Sequence, residues 1–448
     1  MTANNFRRKF EALTADEKFS EILSGSAWAM AGQVMASGIG LTISVVIARV
    51  HGSGVMGTVA VINSLLTLMA IFTTLGTDTV ILRLIPEHLV KYSAPSALRV
   101  FHQTQRLVLW ASLFAGLLLF LGSGPLADKM FGKPQLGFYL ALTSPFLLFN
   151  SQKLLITQTV RGLRLIRLYS LLLFAPALIN LIILLVLNSY SCAPDNPVYS
   201  LFASLVFSGF LGWVIANKGF RQTITPSNQE GSLSNRELIS LSLPMLTTSA
   251  LFFFTSQTGV IILGIFRPES QVAYYDVAVK LSLLVGFVLT ATNAMAAPRF
   301  AELFHAGKMD ELFYVARKSA KLIFWSTLPV IFVLIVLGRP LLTLVFGPEF
   351  AKAYPALLLL MTGQFVNAAS GSTGFFMNMT GHQNMLRNFT AITALLNIGL
   401  SLALIPNFGV EGAAFATMIG ISLLNGIILL YIKRKYGRTT GYFPFLEG

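Results

Sequence analysis

The sequence predicts an all-α integral membrane protein, with twelve transmembrane helices in two six-helix lobes, a parallel internal repeat, around a central cavity. Three observations carry this expectation. Apolar residues make up 54% of the 448 residues and charged residues 11%, against about 45–50% and about 25% in soluble domains. The apolar residues fall in blocks close to the ~20 residues that cross a bilayer. Lys and Arg alternate in density from one inter-block loop to the next, as orientation during insertion demands.

Taken in order, the blocks lie near 24–50, 55–77, 105–123, 136–160, 166–189, 197–216, 238–266, 271–297, 318–338, 351–379, 388–406 and 410–432. Each is bounded by polar residues or by Gly/Pro breaks. Each is expected to be helical, because a backbone in lipid must satisfy its own hydrogen bonds. Residues 1–23 are polar and charged and show no signal-peptide pattern. Twelve spans leave both termini on one side, and the loops of that side hold 24 Lys and Arg against 6 opposite. Only Lys153 and Lys280 complete the total of 32. The basic side is expected to be cytoplasmic. The opposite loops are short and leave no room for a soluble catalytic domain.

The halves match at a near-constant offset. "MFGKPQ" (130–135) answers "VFGPEF" (345–350), Asn150 answers Asn367, Asn180 answers Asn397 and Pro86 answers Pro298. Six spans per half keep both halves in the same orientation, which makes them parallel repeats about an axis along the membrane normal. The expected organisation is a cytoplasmic segment at 1–23, an N-lobe at 24–216 and an inter-lobe linker at 217–237. A C-lobe at 238–432 and a basic cytoplasmic tail at 433–448 follow. Two like lobes suit alternating access, so a transporter is favoured over a membrane enzyme.

Charges inside the spans mark the candidate site. Lys280 sits nine residues into the eighth span, about 14 Å along a helix and near the middle of a ~30 Å hydrocarbon layer. Asp276 lies four residues earlier on the same face. A charge facing lipid costs at least about 2.5–3.5 kcal/mol, so such residues tend to face a bundle interior or a wet cavity. The pair either neutralises itself to stabilise packing or lines that cavity. Lys153 is close enough to the cytoplasmic end to snorkel. Shifting Lys280 by 217 gives Asn63, and shifting Lys153 gives Ser370; all four are polar within apolar helices. Gln257 and Asn293 are further mid-span amides. Each singly is more often an interhelical hydrogen bond than a ligand contact; together they suggest a cavity for something large and rich in hydroxyls. Arg49 ends the first span, where a charge usually anchors the interface.

Other signals are set aside. "GSGVMG" (52–57) matches G-x-G-x-x-G, and Asp78 falls at the dinucleotide spacing, yet its flanks are membrane spans and not a strand and a soluble helix. The segment is expected to be a tight hairpin. The five histidines lie apart and Cys192 is the only cysteine. No metal, cofactor or nucleic acid is expected.

The segment "VVIARVHGSGVMGTVAVINSLLTLMAIFTTLGTDTVILRLIPE" (45–87), with its "AR-x-x-G" end to the first span, resembles the opening of polysaccharide-transporter flippases. "VFGPEFAKAYPALLLLMTGQF" (345–365) and "NIGLSLALIPNFGVEGAAFATMIG" (397–420) are similar to that family's tenth to twelfth spans. The patterns belong to the superfamily that also holds multidrug and toxin extruders and the lipid II flippase. The resemblance implies a flippase for undecaprenyl-pyrophosphate-linked oligosaccharide, such as an O-antigen, capsule or exopolysaccharide repeat unit, in a bacterial inner membrane. It implies membrane lipids and other polysaccharide-assembly proteins as partners. On that reading Lys280, Lys153 and Arg49 neutralise the pyrophosphate, and Asp276 departs from the pattern by cancelling part of the positive field. The alternatives are a cation-coupled drug exporter, which calls for carboxylates inside the lobes, and a membrane glycosyltransferase or polymerase, which calls for acidic catalytic loops.

Overall fold

The computed structural model describes residues 17–222, 231 and 233–444, and the apolar blocks predicted above are mainly helical in it, with a break in the block at 351–379. The chain runs α1 (Glu17–Thr74), α2 (Thr77–Lys91), α3 (Ala94–Pro125), α4 (Leu136–Gly162), α5 (Ile166–Tyr190) and α6 (Asn196–Gln222). It continues as α7 (Asn235–Phe266), α8 (Glu269–His305), α9 (Met309–Val336), α10 (Gly338–Val345), α11 (Tyr354–Ser370), α12 (Thr373–Met379) and α13 (Gln383–Tyr436). No strand occurs among the described residues. Eight helices among them are long and apolar enough to cross a membrane.

Two of those eight are far longer than one crossing. Within α1 the backbone leaves helical geometry at Gly52, where φ is 82° and ψ 174°, and within α13 at Gly409, where φ is 54°. The expected hairpin at "GSGVMG" is therefore a single non-helical residue joining two helical segments. Glycine fits there because a side chain rarely adopts positive φ.

The block at 351–379 differs from the continuous span predicted. A short 3-10 segment, Pro348–Ala353, leads into α11, which stops after 17 residues at Gly371 with φ 70°. A methyl at Gly371 would lie 2.6 Å from the Ala320 side chain, so the break lets α9 approach the backbone closely. Residues 17–23 are helical as the start of α1, α6 continues to Gln222 and α7 begins at Asn235. Residues 1–16, 223–230, 232 and 445–448 of the expected terminal and linker segments lie outside the described residues.

Helix ends follow local chemistry. Ser234 and Glu237 form a reciprocal capping box at the start of α7, satisfying two otherwise orphaned N–H donors. Ser93 caps α3 by accepting from the Ser96 N–H. Residues after α13 fold back: the Tyr442 N–H donates to the Ala369 carbonyl at 2.8 Å, and Arg317 donates to the Thr439 carbonyl at 3.1 Å.

The largest buried cluster joins sequence-distant helices. Ile43, Ile47 and Met56 of α1 pack with Val260 and Leu263 of α7, with Val272 and Tyr275 of α8, and with Phe346 and Phe350. Exposed apolar side chains such as Trp110, Phe114, Phe207, Phe252 and Leu344 cover the outside of the bundle. Such a surface suits hydrocarbon and would be an aggregation hazard in water.

Candidate functional site

The helical period gathers the site. In the first segment of α1, Gly40, Ile43, Ser44 and Ile47 recur at one-face spacing; in the second, Met56, Val59, Ala60 and Asn63 do the same. Both segments line a cavity of about 300 Å³, joined by Asn150 and Lys153 of α4, Pro176 and Asn180 of α5, Ser204 of α6, and Asp276 and Lys280 of α8. Pro176 carries no N–H, so α5 loses one helical hydrogen bond beside the cavity.

The i,i+4 spacing of Asp276 and Lys280 becomes a contact. The Lys280 ammonium donates to Asp276 Oδ2 at 2.6 Å and to the Ser44 hydroxyl at 2.9 Å. The lysine side chain is 36% exposed and the aspartate 17%, so the pair borders the cavity and is not sealed in a packed seam. Lys153 also lines the cavity and has no hydrogen-bond or ion-pair partner among the described residues. Two ammonium groups and one carboxylate leave the lining with an excess of one positive charge. Polar atoms support it. Asn150 donates to the Leu66 carbonyl at 3.2 Å, and the Asn180 Oδ1 is buried with no partner.

Of the residues predicted from sequence, Lys280, Asp276, Lys153 and Asn63 meet in this cavity; Arg49, Gln257, Asn293 and Ser370 do not. Arg49 donates to the carbonyls of Val345, at 3.0 Å, and Leu344. Gln257 accepts from the Ser64 hydroxyl at 3.0 Å, an interhelical bond of the ordinary membrane kind. Ser370 is fully buried and donates to Val366 of its own helix. Asn293 is buried away from the cavity, its Oδ1 unpartnered. Near Ser370, Gln364, Asn367, Asn425 and Thr373 satisfy one another in a hydrogen-bonded chain. Ser370 is therefore sealed beside a hydrogen-bonded network and does not line the cavity.

Sequence reasoning passed over Ser44, Asn180 and Ser204. Ser44 could have been found from the periodicity of the first block, where it shares a face with Gly40 and Ile47.

Beyond the Gly52 end of the cavity, polar contacts tie distant parts of the chain. The Glu349 carboxylate accepts from the Ser53 N–H at 3.1 Å and from its hydroxyl at 2.8 Å. Lys133 pairs with Glu269 at 3.2 Å and donates to the Gly264 and Arg267 carbonyls. Arg267 in turn donates to the Ile405 and Pro406 carbonyls. Helix α8 approaches so closely that a methyl on Gly57 would lie 1.8 Å from the Glu269 carbonyl oxygen.

The family model described as polysaccharide biosynthesis protein matches residues 46–355. The chain is 25% identical over 227 residues to the "Probable low-salt glycan biosynthesis flippase Agl15" of Haloferax volcanii, covering 50% of this chain and 46% of that protein. The chain thus spans about half the length of that curated relative. It superposes on an inward-facing multidrug resistance MATE family transporter of the MOP superfamily with a TM-score of 0.63 at 16% identity. That match covers 92% of this chain and 94% of the other. The lipid II flippase MurJ in its inward closed conformation gives a TM-score of 0.62 at 15% identity, with 90% and 86% covered. These two likenesses show a shared fold.

Proposed function

Because the chain belongs to the polysaccharide biosynthesis protein family, we propose that it is a flippase that moves a polyprenyl-pyrophosphate-linked oligosaccharide across its membrane by alternating access. The single observation that carries the reading is the cavity lined by Lys280, Lys153 and Asp276, net positive and set among apolar helices. A pyrophosphate head needs cationic partners in a medium of low dielectric, where a charge without a partner is strongly penalised. Hydroxyls and amides from Ser44, Asn63, Asn150, Asn180 and Ser204 supply sugar contacts. The prenyl tail stays in lipid, where it costs nothing to desolvate.

At about 300 Å³ the cavity stands at the low end of the range for small-molecule sites. It takes the charged head with little of the glycan, so loading requires the two halves to part. The arrangement proposed is twelve spans in two lobes, residues 24–216 and 238–432, with both termini cytoplasmic as the 24-to-6 basic asymmetry requires. The lobes then rock about the cavity. The lining chemistry selects a pyrophosphate head and is indifferent to prenyl length, so an undecaprenyl carrier in a bacterial inner membrane and the lipid of an archaeal membrane fit equally. A cation exporter is disfavoured, since the one carboxylate in the cavity is engaged by Lys280. The protein acts by moving its substrate and not by transforming it.

Reconstitution in vesicles tests the reading. A polyprenyl-pyrophosphate oligosaccharide with a fluorescent sugar is placed in one leaflet, and its loss to a membrane-impermeant glycosidase on the far side is followed. The protein should speed that loss many-fold over empty vesicles, and Lys280→Ala with Lys153→Ala should abolish the gain while the protein stays folded. Undiminished transfer in the double variant would sink the assignment.

A further inference from the structure

A second, larger feature lies away from the cavity. Helices α3, α4 and α6 enclose a groove of about 810 Å³. Its walls are Leu109, Leu148, Phe149, Ile156, Val206, Phe207, Phe210 and Trp213, and its polar side carries His102, Gln105, Arg106 and Gln152. Phe207, Phe210 and Trp213 are exposed on the outer surface of the bundle, so the groove opens sideways to the hydrocarbon. Along α4 it runs from Leu148 to Ile156, about 12 Å at 1.5 Å per residue.

The polar side has a definite electrostatic character. Among the described residues no carboxylate lines it, and Arg106 also lines an adjoining cavity of about 740 Å³. The one bond that Arg106 makes, among the described residues, is a 3.4 Å contact from its Nε to the His102 carbonyl on its own helix. Its terminal nitrogens are left for an anion. Gln152 is held by donating to the Gln105 carbonyl at 3.0 Å, and its Oε1 is buried with no partner. A cation in want of an anion therefore stands beside an apolar channel.

We infer that this groove is a binding site for an anionic membrane phospholipid, with its phosphate at Arg106 and an acyl chain along Phe149, Phe207 and Trp213. Basic pockets between membrane helices recognise anionic headgroups in this way, and a guanidinium meets a phosphate with two parallel hydrogen bonds. A zwitterionic choline head brings a second cation against Arg106. The site is separate from the transport cavity, and the inference rests on membrane embedding, not on the substrate proposed above.

The test reads Trp213. A variant with Trp28, Trp110 and Trp325 each replaced by Phe retains Trp213 as its only tryptophan. It is reconstituted in phosphatidylcholine vesicles containing either brominated phosphatidylglycerol or brominated phosphatidylcholine. Half-maximal quenching should need about fivefold less brominated phosphatidylglycerol. Arg106→Gln should remove that preference and Arg106→Lys should keep part of it. Equal quenching by the two lipids, or a preference that survives Arg106→Gln, would overturn the site. So would displacement of the brominated phosphatidylglycerol by stoichiometric polyprenyl phosphate, since the groove would then belong to the substrate tail.

Discussion

Ser53 and Glu349, 296 residues apart, are joined by two hydrogen bonds from one residue to both oxygens of a single carboxylate. The cause lies in the backbone. Gly52 breaks the α1 helix, so Ser53 opens a new helical segment whose first N–H groups have no partner within it. A carboxylate at such an end also meets the positive pole of the helix dipole. Glu349 thus ties the Gly52 end of α1 to the other half of the chain by capping its second segment, a contact expected to act as a closure.

Glu349→Gln should loosen that closure. Bonds to a charged group contribute about 1.5–3 kcal/mol each, so losing the charge should favour the opened form by roughly tenfold, at about 1.4 kcal/mol per decade. In a background with Cys192→Ser, a cysteine at Asn63 would report it. Modification by an impermeant thiol reagent added on the side of Glu349 should quicken by that order. An unchanged rate would mean that the pair is not part of a closure.

Gly57→Ala should act in the same direction through sterics alone. Its methyl would meet the Glu269 carbonyl at 1.8 Å, a distance that forces α1 and α8 apart. Overpacking of this kind costs about 1–3 kcal/mol. A lower melting temperature, with faster labelling at position 63, is expected. Because Lys133 pairs with Glu269, the same shift should weaken that ion pair, and adding Lys133→Ala should cost less in Gly57→Ala than in the parent. Additive losses would show that the two contacts are independent.

The sequence made the membrane character and the helical blocks legible because hydrophobic run length is a local property. Asp276 and Lys280 were legible for the same reason: four residues on one helix are neighbours wherever that helix packs. Ser44 was not, since its bond to Lys280 spans 236 residues. The amides show the limit most clearly. In a helix bundle a polar side chain can face a cavity or another helix, and the sequence does not say which. Asn63 faces the cavity whereas Gln257 accepts from Ser64 beside it. The repeat offset paired Lys153 with Ser370, yet Ser370 bonds to its own helix. The offset therefore did not say which residue lines the cavity. The break at Gly371 was hidden in an unbroken apolar block, since it answers the approach of Ala320 from a distant helix.

Acid should loosen the corner between α2 and α3. His88, 4% exposed, bonds through Nδ1 to the Ser96 hydroxyl, which donates onward to the Gly231 carbonyl. The hydroxyl spends its proton on Gly231, so it accepts from the imidazole, which is neutral with the proton on Nδ1. Burial holds this imidazole below its ordinary value, against the opposing pull of Glu87. A base with a depressed folded-state pKa contributes stability that is full above about 6.5 and is lost as pH falls towards the folded value. Hydrogen exchange in residues 84–97, corrected for intrinsic rates, should rise between pH 7.5 and pH 5. His88→Gln should flatten that rise, and an equal rise in the variant would place the cause elsewhere.

The pair in the cavity separates a structural role from a transport role. Removing one partner of a buried pair costs about 3–5 kcal/mol, because the other charge is left behind, whereas replacing both with apolar groups can be neutral. Lys280 is partly exposed, so solvent screens the survivor and roughly 1–2 kcal/mol is expected for Lys280→Met alone. The double variant Asp276→Leu with Lys280→Met should recover most of that loss in a thermal melt. If the pair serves only packing, transfer of a pyrophosphate-linked substrate recovers with it. If the ammonium meets the pyrophosphate, stability returns and transfer does not. The flippase reading requires the second outcome, since the double variant keeps the helix contact and discards the cation. Lys153, which has no carboxylate partner, should behave differently. Lys153→Met relieves a charge held near apolar walls, so it should leave the melt unchanged or raise it while still slowing transfer.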